Sequence, residues 1–366
     1  MKRLMRKWIW LIPAVLCAVC LWQGAVFADK LGGTGNYTQI ILGTQMSLNQ
    51  ACELLQNEED QEEPLTMVFW RQEENCNIHA QEVGRSDEVD VLTTAGQTGI
   101  LFRENSVLGE EDTKGCLLSQ DVAQRVFGSE NILGNDVYIN GENYEIRGVL
   151  KSVEGLAVVR KKAVMQTGTD LEQEGQTTGF DRVKVKNQEG KSTKEMRNLL
   201  ETRYGVDGTV LDLPLLGGIC QAAVWILPLV FCLHFLVWLL HNSKSAEKRG
   251  EKYLWGGIAA VFTVLVLYLA VKQISIPKEI VPSRWSDFTF FSNLADEKTQ
   301  AFAVLMNSQK TAPEAKYFHV FFQSLLFVGL SVGMYLLTIL GWIKRDDGFT
   351  TNLQDNHSTG PGNMIE

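Results

Sequence analysis

The chain has 366 residues and a formal net charge of −9, with 34 Lys and Arg against 43 Asp and Glu. Its apolar residues are concentrated in a few long runs, a pattern that excludes an ordinary soluble globular protein. Segment 29–214 holds 18 Lys and Arg against 32 Asp and Glu, a net charge of −14. Such an acidic surface is a poor match for nucleic acid or anionic lipid, so no nucleic-acid partner is predicted.

Four apolar runs are each long enough to cross a hydrocarbon core of about 30 Å. They predict four transmembrane helices, at residues 8–28, 215–240, 254–271 and 318–343. The first run follows a basic N-terminus and ends on Val26-Phe27-Ala28, which resembles a cleavage site. This apolar stretch of 21 residues exceeds the roughly 7 to 15 of a signal-peptide core, which favours an uncleaved anchor.

Basic residues flank the apolar runs on one side of the membrane. They lie in the N-terminus 1–7, in the loop 241–253 and directly after the fourth run. The positive-inside rule therefore predicts a multi-pass cell-membrane protein whose N- and C-termini are cytoplasmic. Segments 29–214 and 272–317 are then extracytoplasmic. The polar tail 344–366 is predicted to be disordered in the cytoplasm.

Cysteine spacing and polar motifs give no sign of a catalytic or metal site. Cys52, Cys76 and Cys116 lie outside the apolar runs without any CxxC pattern, and Cys76 and His79 would lie on opposite faces of a strand. No metal or other cofactor is predicted. The extracytoplasmic segment also lacks a nucleophile elbow, a metal triad and paired carboxylates, so no catalytic residue is assigned and no enzyme activity is predicted.

The large extracytoplasmic segment begins with a mixture of helix and strand signals. Ser47 and Gln50 form a capping-box pattern before a helix over about 48–57. Two strands are predicted around the turn 72–75, and a third follows at 87–95.

The membrane-proximal end of the same segment also contains a mixture of helix and strand signals. Residues 180–187 alternate as a strand, and a second capping box, Ser192 with Glu195, precedes a helix. A short strand at 208–213 closes the segment. A helix between strands at both ends predicts an α+β fold, in which a split βαβ-type layer carries an inserted β-rich subdomain.

The insertion contains the most patterned stretch of the chain, Leu117–Lys151. Ser119 is predicted to cap a short helix that ends at Gly128. Two alternating strands then flank Asn140-Gly141, a dipeptide that favours positive φ and so predicts a two-residue hairpin turn.

This stretch resembles the MacB-type periplasmic core domain of permease-like subunits associated with ABC transporters (FtsX/MacB type). The layout of the chain is similar too, since that family has an anchor helix, a large outer domain and three further helices. The residues that carry the resemblance are Leu118, Ser119, Ala123, Phe127, Gly128, Leu133, Gly134, Ile139, Asn140, Gly141, Tyr144, Gly148 and Val149.

The resemblance implies a mechanotransmitting role without bond chemistry in this chain. In that role the outer domain and helices carry a conformational change from a separate ATP-binding subunit, and a homodimer or a related permease subunit is a further expected partner. The ATPase must be separate because the chain has no P-loop. The nearest match, Gly190-Lys191-Ser192-Thr193, has Val185 where the motif needs its first glycine.

Two loops leave a second function open. The inner loop 241–253 is short for an element that contacts an ATPase, whereas the outer loop 272–317 is long. Residues 287–308 of that outer loop predict a helix, either lying on the membrane surface or packed as a lid against the outer domain. The alternative function is a membrane-tethered module that binds or senses an extracytoplasmic partner and has lost ATPase coupling.

Polar residues within the apolar runs are costly and therefore informative. Gln221 and His234 are such residues, and Pro228 between them predicts a kink. His234 fits helix packing, a contact with the membrane interface or a proton path, and the sequence does not choose among these. Gly329 and Gly333 have GxxxG spacing, which favours close helix packing or a dimer.

Overall fold

The computed structural model describes residues 11–102, 107–109, 111–162, 179–245, 249–273 and 289–357. The predicted N-terminus 1–7 and the end of the tail, 358–366, lie outside these residues. The described residues divide into two compact units. The sheet domain comprises the described parts of 32–216 and 291–319, and the helical unit those of 11–31, 217–290 and 320–357.

The described residues contain nine strands and eight α-helices. The strands are β1 (Tyr37–Ser47), β2 (Met67–Ala80), β3 (Arg85–Gly96), β4 (Gly115–Ser119), β5 (Asp136–Ile139), β6 (Glu142–Leu150), β7 (Leu156–Arg160), β8 (Gly179–Lys186) and β9 (Gly208–Leu211). The helices are α1 (Leu11–Leu31), α2 (Leu48–Glu59), α3 (Gln120–Phe127), α4 (Thr193–Tyr204), α5 (Leu213–Ser245), α6 (Arg249–Gln273), α7 (Phe290–Asn307) and α8 (Ala312–His357). The predicted mixture of α and β structure is confirmed.

All nine strands join one sheet, in the order β3-β7-β4-β6-β5-β2-β8-β1-β9. Because β2 also pairs with β3, the six strands from β2 to β7 close into a ring. The remaining strands extend the sheet beyond β2, since β8 pairs antiparallel with both β2 and β1, and β9 pairs antiparallel with β1.

Two helices cover one face of the extended part of the sheet. Ala51 and Leu54 of α2, and Met196 and Leu200 of α4, are buried there against strand residues that include Val183. Both helices begin with the predicted capping boxes, in which Ser47 pairs with Gln50 and Ser192 with Glu195. These caps satisfy amide groups that would otherwise have no partner at a helix start.

The predicted pair of strands around residues 72–75 is wrong, because β2 runs through this region as one strand. The pairing of β2 with β3 shifts its register between Glu73 and Cys76, and Asn75 adopts a φ of 56°. Such a bulge accommodates extra residues without ending the strand, and Asn tolerates the left-handed conformation it requires. The polar residues that predict a turn in the sequence therefore contain a β-bulge within one strand.

The most patterned stretch folds largely as its sequence predicts. Asn140 and Gly141 connect β5 to β6 with φ of 52° and 86°, and Gly128 ends α3 with a φ of 72°. Ser119 occupies the N-cap position of α3, but its side chain makes no capping hydrogen bond. Its hydroxyl instead accepts a hydrogen bond from the backbone N–H of Leu156 at 3.0 Å, so it joins the helix start to β7.

Three of the helices are long and apolar enough to cross a membrane, by length and composition: the described parts of α1, α5 and α8. The predicted third span, 254–271, falls within α6, which does not meet that standard over its described residues. Helix α8 continues to His357, whereas the composition predicts a disordered tail from residue 344. Extending an existing helix needs less free energy than starting one, which accounts for the added turns.

Helices α1 and α8 pack closely within the helical unit. The hydroxyl of Ser324 donates to the carbonyl of Gly24 at 3.0 Å, and Phe27 stacks on Phe327 with 5.6 Å between ring centroids. A Cβ atom added at Gly24 would lie 2.9 Å from a methyl group of Val328. The absence of a side chain at Gly24 therefore permits this contact.

Gly329 and Gly333 do not take part in that packing. Both are exposed on α8, and an added Cβ at either would meet nothing within 4 Å among the described residues. Within the described part of the chain the predicted GxxxG contact is thus not made, and Ser324 and Val328 occupy the packed face instead.

We predict that Gly24→Val destabilises the helical unit by about 1 to 3 kcal/mol, because the added methyl groups overlap with Val328. Gly329→Val is the matched control and should change stability little in the monomer. Thermal unfolding of the purified protein in detergent compares the two. Equal losses in both variants would contradict the observed packing of α1 on α8.

We also predict that Gly141→Val destabilises the sheet domain by about 1 to 2 kcal/mol, because a β-branched residue is strained at a φ of 86°. Space is not the cause, since an added Cβ meets nothing within 4 Å. Asn143→Val places the same side chain at an exposed position of the same hairpin and should be nearly neutral. Thermal unfolding again measures the difference.

Candidate functional site

The face of the extended sheet opposite α2 and α4 carries polar side chains. Gln39 of β1 is paired with Lys184 of β8, and Arg182 lies two residues before Lys184. Polar residues that alternate with core residues usually face water in an antiparallel sheet. Here Arg182 is 4% exposed and Lys184 is 3% exposed, so this polar face is buried.

The cover over this face comes from a distant part of the chain. Residues 309–318, which include the first two turns of α8, lie in the sheet domain. Within them Thr311, Glu314, Tyr317 and Phe318 are buried. The start of the last apolar helix is therefore part of the sheet domain.

An ion pair joins β8 to α8 at the centre of this cover. The guanidinium Nε of Arg182 lies 3.0 Å from Oε1 of Glu314, and the two side chains are 5% and 1% exposed. The same oxygen accepts a hydrogen bond from the side-chain amide of Gln39. A second guanidinium nitrogen donates to the backbone carbonyl of Gln309 at 2.8 Å. Strands β1 and β8 thus both bind one carboxylate.

The other oxygen of Glu314 caps the helix to which it belongs. It accepts a hydrogen bond from the backbone N–H of Thr311 at 2.8 Å, an arrangement typical of a capping box. The hydroxyl of Thr311 in turn accepts from the indole N–H of Trp70 at 3.4 Å. A carboxylate in the first turn also interacts favourably with the helix dipole. We refer to Gln39, Trp70, Arg182, Thr311 and Glu314 as the buried polar cluster.

Lys184 extends the contacts beside the buried polar cluster. Its ammonium group lies 4.8 Å from the ring centroid of Tyr37 and 5.6 Å from that of Tyr317. It also donates a hydrogen bond to the Tyr317 hydroxyl at 3.4 Å. Aromatic faces attract cations most strongly where water is excluded, so this buried lysine strengthens the attachment of α8.

The buried polar cluster suits attachment better than chemistry. Its donors and acceptors bind one another, and Glu314 accepts from Arg182, Gln39 and Thr311 together. A buried ion pair is tolerated when its geometry is good and further hydrogen bonds satisfy both partners. Removing one partner leaves the other charge buried and unpaired, which is why such a pair resists separation.

The polar membrane residues singled out in the sequence lie elsewhere. Gln221 and His234 are exposed on the surface of α5, within the helical unit. In the sheet domain, Cys76 and Cys116 are buried free thiols, and burial raises the pKa of the Cys116 thiol to about 12. Among the described residues, no group of three His, Cys, Asp or Glu could hold a metal ion.

Sequence reasoning missed the buried polar cluster, although two signals for it exist. Thr311 and Glu314 have the spacing of a capping box directly before the fourth apolar run, which marks a helix start there. Arg182 and Lys184 are charged residues on a strand between two neighbours, a position where a polar face requires a cover or solvent. Neither signal indicates that the start of α8 packs against β8.

No protein-family model matches the chain, and no curated protein matches it. Several solved structures are similar to its fold. One is the periplasmic region of MacB from Actinobacillus actinomycetemcomitans, which is 14% identical, covers 52% of this chain and 94% of its own, and has a TM-score of 0.38.

A second is the extracellular domain of the noncanonic ABC-type transporter YknZ from Gram-positive bacteria, which is 16% identical. The match covers 48% of this chain and 98% of that domain, with a TM-score of 0.34. A third is a domain of a proposed permease from Porphyromonas gingivalis, which is 13% identical. The match covers 46% of this chain and 82% of that domain, with a TM-score of 0.29. The MacB-type resemblance of the sequence thus recurs among solved structures. At these TM-scores no activity is transferred from them.

We predict that Glu314→Ala destabilises the protein by about 3 to 5 kcal/mol, because Arg182 would stay buried without its partner. The matched control is Glu111→Ala, which removes a carboxylate 82% exposed and paired with Lys162 at 2.6 Å. An exposed pair contributes only about 0 to 1 kcal/mol. Urea unfolding of the purified protein in detergent compares the two variants, and equal losses would contradict the assignment.

Proposed function

We propose that the chain is a permease-like, mechanotransmitting membrane subunit of an ABC-type transport or export system. In this role it couples a separate cytoplasmic ATPase to an extracytoplasmic domain, which is the sheet domain. The MacB-type resemblance of the stretch Leu117–Lys151 supports this role. One structural observation carries it further, namely the way in which the apolar helices are joined to the sheet.

Each of the three apolar helices enters the sheet domain with little or no linker. Helix α1 is followed by the short 3-10 segment Gly32–Asn36 and then by β1. Strand β9 ends at Leu211, and α5 begins at Leu213. Helix α8 begins inside the sheet domain, where Glu314 is held by Arg182. Long flexible linkers would absorb a displacement of the helices, whereas these connections would pass it to the sheet.

The proposal includes four membrane spans, with α6 as the additional one. Its 25 residues correspond to about 37 Å at 1.5 Å per residue, enough to cross a hydrocarbon core of about 30 Å. Cytoplasmic termini and an extracytoplasmic sheet domain follow from the basic flanks of the apolar runs. The strand order β2-β8-β1-β9, with α2 and α4 on one face, supports the split βαβ-type layer that carries β3 to β7 as its insertion.

The proposed partner is a separate ATP-binding subunit, and co-purification with candidate subunits from the same cell tests for it. We expect a stable complex whose ATPase activity depends on this chain. Glu314→Ala should still form the complex, but its stimulation of the ATPase activity should be about tenfold lower, because the connection through α8 is weakened. Glu111→Ala is the control and should stimulate the ATPase as the wild type does. The absence of a complex, together with no effect of deleting 244–252, would overturn the proposal.

A second candidate is a membrane-tethered module that binds or senses an extracytoplasmic partner without an ATPase. The close approach of the end of α5 to the start of α6 favours it. Helix α5 extends to Ser245 and α6 begins at Arg249, and the Ser243 hydroxyl donates to the carbonyl of Lys252 at 3.1 Å. Helix ends that lie this close together favour a short cytoplasmic connection, with little chain available to contact an ATPase. Chain-dependent ATPase activity in the experiment above would exclude this candidate.

A further inference from the structure

Two neighbouring segments of the sheet domain are attached to it very differently. Residues 311–318 are held by the buried polar cluster and its surroundings. Helix α7, which precedes them, has Leu305 as its one buried residue among those described. Asn293, Asp296 and Gln300 are exposed along its other sides, as is Phe291 near its start. Helix α7 therefore lies on the surface of the domain with a narrow contact.

Ion pairs hold the middle of α7 in place. The ammonium group of Lys298 lies 2.8 Å from Oδ2 of Asp212, and the side chains are 33% and 16% exposed. The neighbouring Glu297 pairs with Lys194 of α4 at 2.7 Å, where both side chains are largely open to water. Water and salt screen the Glu297 pair, and the Lys298 pair is only partly buried, so both hold α7 less firmly than the buried pair holds α8.

The position of Asp212 determines what the Lys298–Asp212 pair restrains. Asp212 is the residue between the end of β9 and the start of α5. Its carboxylate therefore ties α7 to the root of α5, the stretch Asp212–Leu216 within the sheet domain. While Lys298 is paired, α7 restrains the point at which an apolar helix leaves the sheet.

We propose that α7 is a releasable strap on the root of α5, closed in this structure by the Lys298–Asp212 pair. The strap opens by local detachment, because a segment with few buried apolar contacts opens at a lower free energy than the core of a protein. The start of α8 stays in place, because Glu314 remains bound to Arg182. The strap is a property of the chain alone, and its use as a gate for motion of α5 rests on the proposed function.

Hydrogen exchange on the full-length protein in detergent, followed by mass spectrometry, tests the strap. We expect amides of α7 to exchange at least about tenfold faster than those of 312–319, since the two segments open separately. Lys298→Ala should accelerate exchange in α7 about threefold or more and leave 312–319 unchanged. Alanine favours helix, so the acceleration would reflect the lost pair and not a weaker helix.

Two further variants separate the ion pair from other effects of substitution. Glu297→Gln, one position away, removes the more exposed pair and should change exchange in α7 less than Lys298→Ala does. The charge swap Lys298→Asp with Asp212→Lys should restore slow exchange. Raising the ionic strength from about 0.05 M to about 0.5 M should accelerate exchange in α7, because the Debye length shortens.

Two results would overturn the strap. One is exchange of α7 and 312–319 in a single step at the same rate, which would show that they open together. The other is a Lys298→Ala variant whose α7 exchanges at the wild-type rate. Both readouts are independent of any ATPase, so failure of the strap and failure of the proposed function are distinguishable.

Discussion

The Arg182–Glu314 pair holds two opposite charges away from water, and the arrangement of the sheet domain depends on their staying together. Each charge would be costly to bury alone, so β8 cannot carry Arg182 on a covered face unless the start of α8 supplies Glu314. Gln39 and Thr311 complete the hydrogen bonds of that carboxylate. The polar face of the sheet is therefore covered only when the start of α8, 132 residues further along the chain than Arg182, packs against it.

This constraint divides the contacts of the sheet domain into firm and loose ones. The start of α8 is held by groups that water does not reach, whereas α7 is held by Leu305, by one partly buried ion pair and by one exposed ion pair. The two kinds of attachment follow one another within the same segment. The proposed mechanotransmitting role would need firm connections, and the proposed releasable segment beside them would offer a place for control.

Several local features could be predicted from the sequence because they depend on neighbouring residues. The capping boxes at Ser47 and Ser192 and the turn at Asn140-Gly141 each rest on interactions within a few positions. Prediction failed where a more distant strand decided the outcome. Residues 74 and 75 form a bulge because β3 pairs on both sides of them, and Ser119 binds the N–H of Leu156 instead of capping α3.

By itself the sequence determined the apolar runs, the α+β composition, the caps and the hairpin turn, since propensity, periodicity and φ preference act over short distances. Only the tertiary structure decided that the polar face of β8 is buried. The alternation of Arg182 and Lys184 with valines is the same for a strand facing water and for one covered by another segment. Which of the two occurs depends on Glu314 and Tyr317, whose approach no local pattern encodes.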